Sequence, residues 1–74
     1  MMYYYQRLKD LREDAGKTQK EVAEILGIMQ QQYSRYEQGV YEIPFHHVIV
    51  LAKYYNVSLD YIANLSETPR KLFS

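Results

Sequence analysis

The sequence contains no cysteine and no tryptophan, and it has only three glycines and two prolines. Without cysteine, the chain can form neither a disulfide nor a thiolate metal site. No apolar run approaches the ~20 residues of a membrane span. The N-terminus also lacks the charged region and apolar stretch that are typical of a secretory signal. We therefore expect a soluble, cytoplasmic protein that does not associate with membranes.

Net charge is absent as well, because nine basic and nine acidic residues cancel. A nucleic-acid-binding protein usually carries a basic excess, or at least a basic face. Composition alone therefore does not indicate that the protein binds nucleic acid. If it does, the fold must gather the positive side chains on one face. The length of 74 residues limits the chain to one domain with a thin core and little room for an enclosed active site.

Tyrosine is the residue present in unusual number, with nine copies. A tyrosine-rich surface can bind a partner, whereas large amphipathic rings can also fill a small core with their hydroxyls at its edge. We favour the core interpretation for the four tyrosines that fall on apolar helical stripes: Tyr4, Tyr33, Tyr36 and Tyr55.

Helical periodicity dominates, and no alternation of apolar and polar residues indicates a strand. The first predicted helix ends at Gly16, a left-handed cap, and its buried face has a four-three-four spacing: Tyr4, Leu8, Leu11 and Ala15. A capping box of Thr18 and Glu21 opens the second helix. A third helix is predicted from about Met29 to Glu37. The tight turn over residues 27–29 makes these two helices cross steeply, as in a helix-turn-helix.

The rest of the chain predicts two further helices. The buried face of the fourth comprises Phe45, Val48, Leu51, Ala52 and Tyr55. Ser58 is suited to N-cap a fifth helix. Beyond Leu65 the sequence is polar and is broken by Pro69, which predicts a domain over residues 1–66 and a flexible tail over residues 67–74.

Several short segments stand in a fixed order: Leu8-x-x-Leu11-Arg12-Glu13, Gly16-x-Thr18-Gln19, Val22-Ala23-x-x-Leu26-Gly27-Ile28, Glu37-x-Gly39, Ile43-Pro44, Leu51-Ala52 and Asn56-Val57-Ser58-Leu59-Asp60. In this order and at these spacings, the sequence resembles the Cro/phage-repressor (Xre-type) helix-turn-helix family over residues 4–65. The resemblance implies an all-α, compact five-helix bundle, a lambda-repressor-like DNA-binding domain.

The resemblance also implies that the third helix reads the major groove of DNA with its N-terminal residues. In the family, the positions matching Gln30, Gln31 and Arg35 contact bases; glutamine suits adenine and arginine suits guanine. The positions matching Gln32 and Ser34 line the same interface. The position matching Gln19 binds a phosphate and braces the first recognition glutamine. Three consecutive glutamines alone would suggest a solvated polar face, but within this motif we favour DNA reading.

Phosphate contacts are expected from the start of the second helix and from the loop after the third. Lys17 and Lys20 flank a helix N-terminus, whose N–H groups and dipole attract phosphate. With Arg35, they are candidates for the basic face that a net charge of zero conceals. Tyr41 can donate to a phosphate, whereas Glu42 is unfavourable if it faces DNA.

Two further sets of residues have structural roles in the family. The family pattern implies an ion pair between Arg12 and Glu37 that fixes the third helix on the first. Met29 departs from the pattern, because Ser, Thr, Asp or Gly usually N-caps the recognition helix and losing that cap costs roughly 1 kcal/mol.

We therefore expect modest single-domain affinity and a homodimer, with these tentative interface residues: Leu59, Ile62 and Leu65.

These observations predict a sequence-specific DNA-binding transcriptional regulator, specifically a repressor, acting on a pseudo-palindromic operator in double-stranded DNA. The alternative is a protein-interaction module, such as an antitoxin or a regulator-binding subunit. No serine or carboxylate is set up with a histidine base, and no glycine-rich phosphate cradle occurs. His46 and His47 are adjacent and point about a hundred degrees apart. We therefore expect no enzyme activity, no cofactor and no bound metal.

Overall fold

The computed structural model describes residues 3–63, and within that range it contains five helices. They are α1 (Tyr4–Asp14), α2 (Gln19–Leu26), α3 (Gln30–Gln38), α4 (Phe45–Tyr55) and α5 (Leu59–Ile62). The predicted all-α fold is confirmed. None of the described helices is long and apolar enough to cross a membrane. The predicted tail over residues 67–74, and the domain boundary before it, lie outside the described residues.

Side-chain caps fix where two of the helices begin. The Thr18 hydroxyl accepts the Glu21 backbone N–H at 3.1 Å, and the Glu21 carboxylate accepts the Thr18 backbone N–H at 3.0 Å. The predicted capping box of α2 is therefore confirmed. The Ser58 hydroxyl accepts the Tyr61 N–H at 3.1 Å and starts α5. Because each bond satisfies a backbone donor that the helix leaves free, it marks the first turn.

The core lies where the inner faces of the helices meet. Its largest fully buried side chains are Tyr33, Leu8, Leu51, Ile62 and Val22. Tyr36 is also buried, while Tyr4 and Tyr55 are half-buried and pack against the core. The core interpretation of these four tyrosines is therefore confirmed.

Two apolar residues lie elsewhere than predicted. Ala15 is exposed because α1 ends at Asp14 and Ala15 follows its last turn. Phe45 is 66% exposed because it begins α4 at the rim of a surface groove rather than in the core. Ile62 is 1% exposed. It also lines the surface groove, and its tentative place in a dimer interface stays a prediction.

The other two tentative interface residues differ in position. Leu59 is half-buried and lines the surface groove together with Phe45 and Val48. Leu65 lies outside the described residues. Leu59 therefore lies in an apolar groove and is partly accessible from the surface.

The C-terminal end of α3 is packed against α1 through a glycine. Gly39 has φ +76°, a left-handed conformation that costs other residues energy. A Cβ atom at this position would lie 2.7 Å from the ring of Tyr5. Gly39 is therefore required both by the backbone and by the close approach of α1.

We expect Gly39→Ala to lower the free energy of unfolding by about 2–4 kcal/mol, because it combines a strained backbone with a clash against Tyr5. Gly16→Ala is the matched control, since Gly16 also has a positive φ of +68° but, apart from its chain neighbours, no atom of residues 3–63 lies within 4 Å of the added Cβ. It should cost only about 1–2 kcal/mol. Urea unfolding measures both values, and equal losses would show that the close approach of Tyr5 does not matter.

Candidate nucleic-acid interface

The exposed face of α3 consists of a ridge with a depression on either side. Gln31 and Arg35 form the ridge, because residues four apart lie in one row along a helix. Both side chains line both depressions. The polar depression is lined by Gln19, Gln30, Gln31, Ser34, Arg35 and Gln38. The mixed depression is lined by Met29, Gln31, Gln32, Arg35, Tyr36, Tyr41 and Glu42.

The polar depression brings together most of the residues predicted to face DNA. Gln30, Gln31 and Arg35 are exposed there, and Gln19 joins them from the start of α2. Amides and a guanidinium offer donors and acceptors that can pair with base edges. This depression therefore gathers hydrogen-bonding groups from two helices in one place on the surface.

Gln38 was missed by the sequence analysis. Its amide donates to the Ser34 hydroxyl at 3.0 Å, one turn earlier in α3. Gln38 lies seven residues after Gln31, on the same side of the helix as Ser34. This spacing was the available signal, but the predicted helix ended one residue too early to include it.

Gln32 lines the mixed depression and not the polar one, unlike Gln30, which lines only the polar depression. The Gln32 amide donates to the Tyr36 hydroxyl at 2.8 Å, which engages one of its donors within α3. In the same depression, the guanidinium carbon of Arg35 lies 5.9 Å from the centre of the Tyr41 ring. This distance is within range of a cation–π attraction. Glu42 lines the same depression, so a carboxylate adjoins the surface predicted to face DNA.

The predicted basic face is only partly gathered around these depressions. Arg35 lines both, whereas Lys17 and Lys20 line neither. Lys20 is exposed in the first turn of α2. Lys17 is half-buried, and its backbone carbonyl accepts the Arg12 guanidinium at 2.9 Å. The two lysines therefore flank the N-terminus of α2, outside both depressions.

A buried polar network lies behind the exposed face of α3. Arg12 donates to both carboxylate oxygens of Glu37, at 2.7 and 3.1 Å. The Gln19 amide donates to one of the same oxygens at 3.1 Å. The Arg12 and Glu37 side chains are 12% and 3% exposed. One carboxylate on α3 is therefore bonded to both α1 and α2.

The network keeps Glu37 ionised. Burial by itself raises the pKa of a carboxyl group, but the bonds and positive charge of Arg12, with further contributions from Tyr33 and Gln19, outweigh burial and lower the pKa of Glu37. The bond to Glu37 likewise raises the pKa of Arg12. Burial, with the nearby Glu37 carboxylate, raises the pKa of Tyr33. The site thus contains a charged pair beside a neutral phenol.

Glu37 also determines how Gln19 is turned. A carboxylate only accepts hydrogen bonds, so Gln19 must present its amide nitrogen to Glu37. The amide oxygen and the second N–H of Gln19 are then left for the polar depression. Glu37 therefore sets the pattern of donor and acceptor that Gln19 offers beside Gln30.

His47 is a buried residue that the sequence analysis did not place in the core. Its ring centre lies 6.3 Å from that of Tyr36, and burial followed by the charge of His46 lowers the pKa of His47. The spacing of four residues from Leu51 was the available signal. Within residues 3–63, no group of three or more histidines and carboxylates could hold a metal ion.

The sequence matches a helix-turn-helix family over residues 8–62, and the chain belongs to this family, the Cro/phage-repressor (Xre) type. It is 38% identical over 66 residues to the uncharacterized HTH-type transcriptional regulator YobD of Bacillus subtilis (strain 168), covering 89% of this chain and 59% of that protein. It is 40% identical over 65 residues to the HTH-type transcriptional regulator ImmR of the same organism, covering 88% and 51%. No solved structure matches.

The family and the fold class predicted from the sequence are thereby confirmed. Both relatives are described as transcriptional regulators, not as enzymes. The chain spans just over half the length of each of them, 59% and 51%.

The buried pair should make stability depend on pH in the acid range. The pKa of Glu37 is lower in the fold than its ordinary value of 4.5. Its stabilising contribution is therefore complete above that value and is lost as pH falls toward the lower folded pKa. We expect urea unfolding of wild type to show this loss between about pH 5 and 3.

Glu37→Gln removes this titration and leaves Arg12 without its charged partner. It should lower the free energy of unfolding at pH 7 by about 3–5 kcal/mol and flatten the acid dependence. Glu24→Gln is the control, because it removes an exposed carboxylate of α2 outside the network. A Glu37→Gln variant with the wild-type pH dependence would contradict this role.

Proposed function

We propose that this chain is a sequence-specific DNA-binding domain of a transcriptional regulator, which reads the major groove with α3. The observation that carries the proposal is the exposed face of α3, where Gln30, Gln31 and Arg35 meet Gln19 around one polar depression. Their hydrogen-bonding groups match the edges of adenine and guanine. They differ from the buried aromatic anchors that dominate protein–protein interfaces.

Two intramolecular bonds support a division of these residues by role. Gln30, Gln31 and Arg35 are the base readers. Gln32 and Ser34 are supporting contacts, because Gln32 bonds Tyr36 and Ser34 accepts from Gln38. Gln19, turned by Glu37, braces Gln30 and binds a backbone phosphate.

Positioning of the domain on DNA is assigned to groups around the recognition surface. The N-terminus of α2 with Lys17 and Lys20 binds one phosphate region. Tyr41 donates to a phosphate beside the mixed depression, where it is 56% exposed. The Arg12–Glu37 pair acts from behind, because it fixes α3 to α1.

We further propose that the protein is a cytoplasmic repressor that binds as a homodimer to a pseudo-palindromic operator. A net charge of zero and a carboxylate at Glu42 give one domain little non-specific attraction to DNA. Two linked domains would combine their attraction to the operator. The apolar groove with Leu59 and the exposed Phe45 is the described surface that supports association. Together with other exposed apolar side chains such as Val40 and Val50, it also favours the alternative of a protein-interaction module.

The direct experiment is selection of bound sequences from a genomic DNA library. Wild type should enrich one motif made of two inverted half-sites about 34 Å apart. The Gln30→Ala, Arg35→Ala double variant should lose that motif, because it removes two base readers. Lys53→Ala, which removes a positive charge from α4, is the control and should retain it. A double variant that enriches the wild-type motif equally well would refute the proposal.

The binding of phosphate by the two lysines is tested by the salt dependence of affinity. Removing one side chain that neutralises a phosphate should reduce the slope of log affinity against log salt by about 0.9. We expect this change for Lys17→Ala and for Lys20→Ala, with the enriched motif unchanged. An unchanged slope would show that these lysines do not touch phosphate, and a changed motif would show that they read bases.

A further inference from the structure

Met29 is unusually exposed for an apolar side chain. It is 69% exposed, more than any other large hydrophobic residue among those described. It occupies the N-cap of α3 with an extended backbone, and its side chain makes no cap bond. A serine, threonine or aspartate at this position would stabilise the helix. Neither packing nor capping therefore accounts for methionine here.

The surroundings of Met29 place it at the ligand surface. It lines the mixed depression, on the side of the Gln31–Arg35 ridge opposite to Gln30. The rings of Tyr36 and Tyr41 line the same depression. An apolar thioether thus stands directly beside two hydrogen-bonding side chains, at the helix end that enters the major groove in helix-turn-helix proteins.

One chemical group in the major groove suits this arrangement. The C5-methyl group of thymine is apolar and projects into the groove next to the polar base edges. Methionine is unbranched and polarizable, so it adapts closely to such a group. A cytosine in the same place offers no methyl group and presents an amino donor instead.

We infer that Met29 is a specificity-determining residue that contacts the C5-methyl group of a pyrimidine, next to a base pair read by Gln31 or Arg35. This inference rests on the proposed function and adds a base preference to it. Met29 reads the methyl group by apolar contact, and the mixed depression provides the space beside it. The missing cap of α3 is the structural consequence of placing an apolar side chain there.

The test uses the duplex selected by the wild-type protein. Each thymine in turn is replaced by deoxyuridine, which keeps the base pair and removes only the methyl group. Wild type should lose affinity about fourfold at one position in each half-site, as expected for one buried methyl-sized group. In Met29→Ala, the ratio of the affinities for the thymine duplex and the deoxyuridine duplex should fall to about one.

Two further variants separate methyl reading from an effect on folding. Met29→Ser supplies an N-cap, so it should be at least as stable as wild type and still be insensitive to deoxyuridine. Val50→Ala removes an exposed apolar side chain from α4 and should keep the fourfold ratio. Retention of the ratio in both Met29 variants, or a wild-type protein insensitive to every replacement, would overturn the inference.

A last arm identifies the source of the methyl group. The sensitive thymine pair is replaced by a cytosine pair, with and without a 5-methyl group on the cytosine. A gain on methylation that depends on Met29 shows that either base serves, and no gain assigns the site to thymine. If wild type selects no DNA, the proposed function falls together with this inference. If it selects DNA without a methyl effect, only the inference falls.

Discussion

The bidentate contact between Arg12 and Glu37 is the interaction on which the rest of the surface depends. A buried ion pair contributes little net stability, because desolvation of two charges offsets their attraction. Its value here is geometric. Two parallel N–H···O bonds allow one relative orientation of guanidinium and carboxylate, so they fix the angle between α1 and α3. The same carboxylate then orients Gln19, which connects the buried pair to the polar depression.

Tyr33 and Tyr36 pack the middle of α3 against the core, and two further anchors lie at its C-terminal end. Glu37 bonds to the neighbouring helices, and Gly39 admits the ring of Tyr5. The other end begins at Met29 without a side-chain cap. Its first backbone N–H groups therefore have no helical partners of their own. The N-terminal end of α3 thus differs from its C-terminal end, which is fixed by side-chain bonds and a close contact.

Much of this arrangement follows from local sequence signals. The pairing of Thr18 with Glu21 marks the start of α2, and apolar periodicity places α3 within one residue at each end. Tyr33 and Tyr36 belong to the core because they repeat with the inward face of that helix. The family motif indicates the residues of the recognition face. The caps and the helical periodicity depend on residues only a few positions apart, so they can be predicted from the sequence without the structure.

The features that could not be predicted from the sequence depend on how far the neighbouring helices extend and where they pack. Periodicity gives the side of α4 on which Phe45 lies, but not that this first turn extends past the core. Ile62 in a four-residue helix could equally have been a core or an interface residue by pattern alone. The division of the α3 surface into two depressions could not be predicted either, because it depends on where α2 and the segment with Tyr41 lie beside α3.

The ridge has a consequence for how this protein could evolve. Arg35 and Gln31 adjoin both depressions, whereas Gln30 and Met29 each adjoin one. A mutation on the ridge alters both halves of the surface at once, so under the proposed function it is harder to compensate by a single change in the target DNA. A mutation at an edge alters one half and leaves the other intact. Divergence among descendants of this protein should therefore begin at positions 29 and 30, with the ridge retained as the shared part of the surface.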